Sequence, residues 1–176
     1  MLKLAQLKKG FSMKLISLLS LFIATSAYAL PDLNDLSNAQ IHKVQLAKKI
    51  AIQDGHTNPN ILPAIILKES NAGERKQNGP NLGIAQVTVQ TAIAVITEYP
   101  ELGSYSRQVL RSKLLNDDTF NMQVASKYLK MVQAKTIAAT ITAYNLGPTG
   151  SKRVNPDTHN YTVSILKTAV SIRNMF

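Results

Sequence analysis

The chain has 176 residues, a formal net charge of +10, 45% hydrophobic residues and no cysteine. The missing cysteine excludes a disulfide framework, a thiol nucleophile and a lipid-modified N-terminal cysteine. The basic charge suits an anionic polymer or a lipid surface, whereas a nucleic-acid footprint is weak, because the lysines and arginines are dispersed with few aromatics beside them.

Residues 1–29 read as an export signal. Lys3, Lys8, Lys9 and Lys14 precede or open an apolar run, no acid occurs before Asp32, and Ala27-Tyr28-Ala29 forms a small-x-small cleavage signature. The uncharged stretch 15–30 is shorter than the ~20 residues of a membrane span. Met13 is an alternative start, because 13–29 is a complete signal by itself. Residues 30–37 form a polar linker, and residues 38–176 suffice for one domain with a core of its own. Without the signal lysines the charge falls to about +6.

From there the chain reads as successive helices with turn punctuation and no alternating run of strand length. Ser37 or Asn38 caps a helix to about Asp54, with Ile41, Val44, Ala47 and Ala51 inward and Leu46 and Ile50 widening that face. A second, apolar helix covers 61–70 and ends near Gly73. Its inward stripe is Leu62, Ile65, Ile66 and Glu69. A polar loop spans 74–81. A helix from Val87 to Glu98 stops at Pro100. The next, 104–115, has Tyr105, Val109 and Leu110 as its inner face. Asp117 or Asp118 caps a helix with Phe120, Val124, Tyr128 and Met131 in one stripe. An apolar helix over 136–146 closes at Gly147-Pro148. The last spans 158–173, with Tyr161, Ile165 and Val170 inside. The fold class is mainly α, one helical domain.

Glu69 is the most informative residue. Carboxylates seldom lie on an apolar stripe, because desolvation penalises the charged form. Burial and the negative end of a helix dipole both raise its pKa, so that it can donate a proton near neutral pH. The other reading of the position is a solvated glutamate at a frayed helix end.

Three motifs stand in order: Glu69-Ser70, Gly83-Ile84-Ala85-Gln86, and Ala143-Tyr144-Asn145-Leu146-Gly147-Pro148. Together they resemble the soluble (SLT-type) lytic transglycosylases, which share the lysozyme-like fold. That family carries an E-S pair at a helix end, a G-L-M-Q-like turn, an A-Y-N-x-G segment and often a Y-V pair in the last helix, matched loosely by Tyr161-Thr162-Val163. The resemblance covers nearly all of 38–170. It implies cleavage of the β-1,4 bond between N-acetylmuramic acid and N-acetylglucosamine in peptidoglycan, without added water and without metal or cofactor. Glu69 would act first as acid and then as base, closing a 1,6-anhydro ring.

The resemblance also implies roles for the other motif residues. Ser70 would orient Glu69 or touch the acetamido group. Gln86 would line the glycan groove, and Gly83 would permit its tight turn. Tyr144 would place its hydroxyl near Glu69 as a second catalytic residue. Asn145 would bind a sugar or fix the local turn. Tyr161 would face the cleft, with a structural role favoured over a catalytic one. Ala85 stands where the family usually has Met, which implies a missing apolar wall in the groove.

Alternatives of other kinds stay in view. A muramidase that adds water needs a second carboxylate, for which Glu74 is the candidate. A non-catalytic glycan-binding or assembly protein would keep the fold without turnover. His42, His56 and His159 are scattered without H-E-x-x-H spacing, which argues against a zinc amidase. The segment 78–83 lacks the Lys-Ser/Thr of a phosphate loop. By size, the chain resembles the specialised transglycosylases that open the wall for secretion, conjugation or pilus machines, working in the periplasm or outside the cytoplasm.

Overall fold

The structure is a computed structural model describing residues 33–176. The signal segment and the start of the linker therefore lie outside the described residues. A short 3-10 turn at Leu33–Asp35 leads into α1 (Asn38–Gln53). Ser37 caps it reciprocally with Gln40, each side chain taking the other's backbone N–H. Val44, Ala47, Ile50 and Ala51 are buried, whereas Ile41 and Leu46 are half-buried at the edge of that face.

The second helix, α2 (Ile61–Ser70), is the axis of the molecule. Every residue from Ile61 to Leu67 is buried, so α2 has no polar face rather than the single inward stripe its spacing suggests. It packs against α1, α7 and α5, whose ranges follow. Asn71 and Ala72 then adopt left-handed backbone, and the Ala72 N–H closes on the Ile66 carbonyl at 3.0 Å. Ala72 is neither glycine nor asparagine, so its φ of 54° is an uncommon conformation that the surrounding bonds must hold.

The polar loop contains a small antiparallel sheet instead of irregular chain. Strands β1 (Gln77–Asn78), β2 (Asn81–Leu82) and β3 (Val87–Thr88) lie in that order, with Gln77 opposite Leu82 and Asn81 opposite Thr88. Two-residue strands are too short to leave an alternating signature. Val87 therefore belongs to a strand, and α3 (Val89–Glu98) starts two residues later behind the Thr88 cap.

After a 3-10 turn at Pro100–Leu102 come α4 (Arg107–Asn116) and α5 (Asp118–Met131), capped by Ser106 and Asp117. The inner face of α4 differs from expectation. Tyr105 precedes the helix, its hydroxyl donating to the Leu102 carbonyl, and Val109 is exposed. Leu110 and Leu114, one turn apart, supply the buried contacts instead. In α5 the expected stripe holds: Phe120, Val124 and Tyr128 are buried and Met131 packs at its end.

Thr136 caps α6 (Ile137–Gly150), which is helical up to a break at Gly147 (φ 71°, ψ 165°), before Pro148. The last helix, α7 (Asn160–Met175), turns Ile165, Ala169 and Ile172 inward. Val170 is 59% exposed, contrary to expectation. At 100° per residue it lies well off the row that Ile165 begins, whereas positions four and seven further on return to it.

One buried polar residue joins the sheet to the helices. Asn121, on α5 and wholly buried, donates to the carbonyls of Leu82 (2.8 Å) and Leu114 (2.9 Å) and accepts from the Ala85 N–H (2.8 Å). Gly83 (φ 73°) lies against the same amide, and a Cβ there would collide with Asn121 and the Leu114 carbonyl. Asn121→Ala leaves three backbone groups without partners. Asn121→Asp keeps the shape but points an acceptor at two carbonyls. Each substitution is expected to lower unfolding stability by about 2–4 kcal/mol in chemical denaturation. An aspartate variant as stable as the parent would show that the two donated bonds contribute little.

Candidate active site

The site lies where the end of α2, the turn of residues 83–86, α6 and α7 converge. Glu69 occupies the last turn of α2, carried there by an apolar helix with no solvated face. It is half-buried, and its carboxyl group sits among protein atoms. Burial pushes its pKa from 4.5 up to about 7, against the opposing pull of the Tyr161 hydrogen bond and the Lys68 charge. No other carboxylate among the described residues contributes to that shift.

Ser70 is wholly buried. Its hydroxyl bonds the carbonyl of Ile84 at 2.7 Å, approaches that of Ile66 at 3.2 Å, and accepts from the Gly73 N–H at 2.7 Å. Ser70 therefore has no open surface, and its bonds tie the exit of α2, next to Glu69, to the turn of residues 83–86. Gly83 is likewise buried, and its role is close packing against Asn121.

The two tyrosines bond different partners. The Tyr161 hydroxyl, from the first turn of α7, donates to Glu69 Oε1 at 2.6 Å. The Tyr144 hydroxyl donates to the Ala85 carbonyl at 3.0 Å, and its ring packs on that of Tyr128 at 5.4 Å. Tyr144 still senses the acid, since the Glu69 charge, after burial, pushes its pKa well above the usual phenol range. Tyr161 is raised for the same two reasons. The sequence places a tyrosine on each helix, but only the packing of α7 against α2 decides which one reaches Glu69.

Gln86 is half-buried with φ of 52°, its amide donating to the carbonyls of Gly83 (2.8 Å) and Arg75 (3.3 Å). Its Oε1 has no partner among the described residues. Asn145 is half-buried beside Tyr144 on α6. Ala85 is completely buried, so its departure from the family pattern alters the packing beneath the turn rather than an open wall. Glu74 is exposed, and its carboxylate takes a short hydrogen bond from Asn71.

The residue that sequence reasoning missed is Asn121. The only signal was one polar side chain in the buried row of α5, between Phe120 and Val124.

The family model described as Transglycosylase SLT domain matches residues 46–163, which include Glu69, both tyrosines and the Asn121 brace. No curated protein matches the chain.

The Glu69 shift has a sign that can be tested. Between about pH 4.5 and 7 the folded protein keeps a proton that the unfolded chain has lost, so stability falls as pH rises through this window. Glu69→Gln removes the penalty. It is expected to raise stability above pH 7 by up to about 3 kcal/mol and to leave it nearly unchanged at about pH 4. Denaturation curves at the two pH values check this, and an equal effect at both would contradict the shifted carboxyl.

Proposed function

This chain belongs to the transglycosylase SLT domain family and so has a lytic-transglycosylase-type domain acting on peptidoglycan; from that premise we propose the chemistry that its residues perform. The reaction is cleavage of the N-acetylmuramic acid–β-1,4–N-acetylglucosamine bond, with Glu69 as the single general acid and base and a 1,6-anhydro end as product. The observation that carries this reading is a carboxyl pushed up to about 7, with no other carboxylate among the described residues contributing to that shift.

In the first step Glu69 gives its proton to the glycosidic oxygen as the C1–O bond breaks. The acetamido carbonyl oxygen of the muramic residue supports the electron-poor C1. The Glu69 carboxylate then takes the proton of the C6 hydroxyl, whose oxygen bonds to C1. Proton and charge are restored, and no water is consumed. Tyr161 holds Oε1, leaving Oε2 as the oxygen suited to carry the proton, and its hydrogen bond stabilises the carboxylate left after the first step. Tyr144 braces the neighbouring turn through Ala85, with Gln86 and Asn145 as glycan-binding side chains.

The export pattern in residues 1–29 supports action in the periplasm or elsewhere outside the cytoplasm. The domain's size supports local wall opening for a secretion, conjugation or pilus system. Purification from cells with no envelope-complex component recovered would count against that partner.

Digestion of purified peptidoglycan by residues 30–176, read by mass spectrometry, tests the chemistry. Muropeptides one water lighter than reducing-end products are expected, and Glu69→Gln is expected to lower their release by about 100-fold or more. Their rate should fall about tenfold per pH unit above about 7, because the first step needs the protonated acid. Hydrated ends would assign a muramidase. Retained wall binding without any release would assign a binding protein.

A further inference from the structure

Between α6 and the start of α7, next to Tyr161, runs a chain of hydroxyl groups that the reaction does not use. Thr142 on α6 places Oγ1 2.8 Å from the Ala138 carbonyl, which only accepts, so its single proton points there. Thr142 Oγ1 is also 2.7 Å from Thr162 Oγ1 on α7, both residues being wholly buried. Thr162 must therefore supply the proton of that bond. Thr162 Oγ1 in turn lies 3.3 Å from His159 Nδ1. With the Thr162 proton committed to Thr142, the only bond possible is one donated by His159 Nδ1–H.

This direction of donation fixes the imidazole. Neutral His159 carries its proton on Nδ1, facing inward, and its lone pair on Nε2. That nitrogen has no partner among the described residues and is not among the enclosed orphan polar atoms, so it meets solvent. The ring lies 6.4 Å from the Tyr161 ring, centroid to centroid, and Tyr161 bonds Glu69. The His159 side chain, at the N-cap position of α7, makes no capping bond to a backbone N–H. An oriented acceptor thus stands open beside the tyrosine that bonds Glu69.

We propose that His159 binds the glycan, its Nε2 accepting a hydrogen bond from an acetamido N–H of the sugar chain seated beside Tyr161. The inference rests on the peptidoglycan reading above and adds a residue to it. Protonated His159 would present a second donor to the sugar donor, and the contact would be lost. The groups around it leave the imidazole neutral at pH 7. Burial lowers its pKa, and no charge contributes. The Lys152, Arg153 and Asp157 side chains nearby in sequence are exposed. Helix α6 bears no charged side chain, its one phenol being Tyr144, and the nearest titratable group on α7 is the Tyr161 phenol.

The test measures binding rather than turnover, in the Glu69→Gln background, so that titration of the acid does not enter. Isothermal titration with N-acetylglucosamine–N-acetylmuramic acid oligosaccharides compares His159, His159→Leu and His159→Gln. Glutamine can keep a donor towards Thr162 and an acceptor outward. At about pH 7.5 we expect the leucine variant to bind about fivefold or more weakly and the glutamine variant to retain most of the affinity. As pH falls towards about 5, affinity should drop with His159 and stay level with glutamine. A leucine variant binding as tightly as the parent, or a parent affinity that does not change with pH, overturns the inference alone. Failure of the Glu69→Gln parent to bind these oligosaccharides overturns the functional reading and the inference with it. Thermal midpoints of the three proteins separate lost contact from lost fold.

Discussion

The main chain of residues 82–86 is held from three sides, and the rest of the site depends on that. Ser70 bonds the Ile84 carbonyl, Asn121 bonds Leu82 and Ala85, and the Tyr144 hydroxyl bonds the other end of Ala85. These three side chains come from α2, α5 and α6, so one short turn fixes three helices relative to one another. Buried backbone groups are costly without partners, which makes the arrangement strongly preferred over any other packing. The turn also tolerates unusual backbone: positive φ at Gly83 and Gln86, with no room for a Cβ at Gly83. Glu69 precedes Ser70 directly, so its place follows from the same clamp.

Around Glu69 the electrostatics favour the neutral acid without abolishing the carboxylate. Burial on an apolar helix is the largest influence and raises the pKa. The Tyr161 hydroxyl and the Lys68 charge restrain the rise, leaving a group that can gain or lose a proton near pH 7. A carboxyl enclosed without those partners would hold its proton too tightly to alternate between acid and base. One exposed to water would seldom carry a proton at all. The same tyrosine that tunes the acid stands beside His159, whose own orientation descends through Thr162 and Thr142 to a helix carbonyl. Oriented hydroxyls are the common device, because each has one proton and must choose a direction.

Much of the helix map was readable because helices announce their ends locally. Ser37 and Asp117 cap where residue type and spacing indicate, and Gly147-Pro148 breaks α6. Errors arose where a helix face had to be chosen from a few apolar residues. Val109 and Val170 are apolar yet exposed, since exposure of a single aliphatic side chain costs little and leaves no mark on the pattern. The sheet of residues 77–88 escaped notice because each strand is two residues long.

By itself the sequence determined the helical class, the order of the three motifs and Glu69 as the distinctive acid, because these depend on residue type and short-range spacing. It also carried the family, through motifs that need no coordinates to be seen. The tertiary structure alone decided that the Tyr161 hydroxyl is the one hydrogen-bonded to Glu69, and that Ser70 bonds the backbone of the turn. It alone revealed Asn121 as the brace of the turn and gave His159 its direction. Those outcomes join residues as far apart as Glu69 and Tyr161, brought within 2.6 Å by the packing of α7 on α2. Local propensity carries no information about such distant pairs. They are settled by which buried polar groups can all be satisfied together once the helices close around α2.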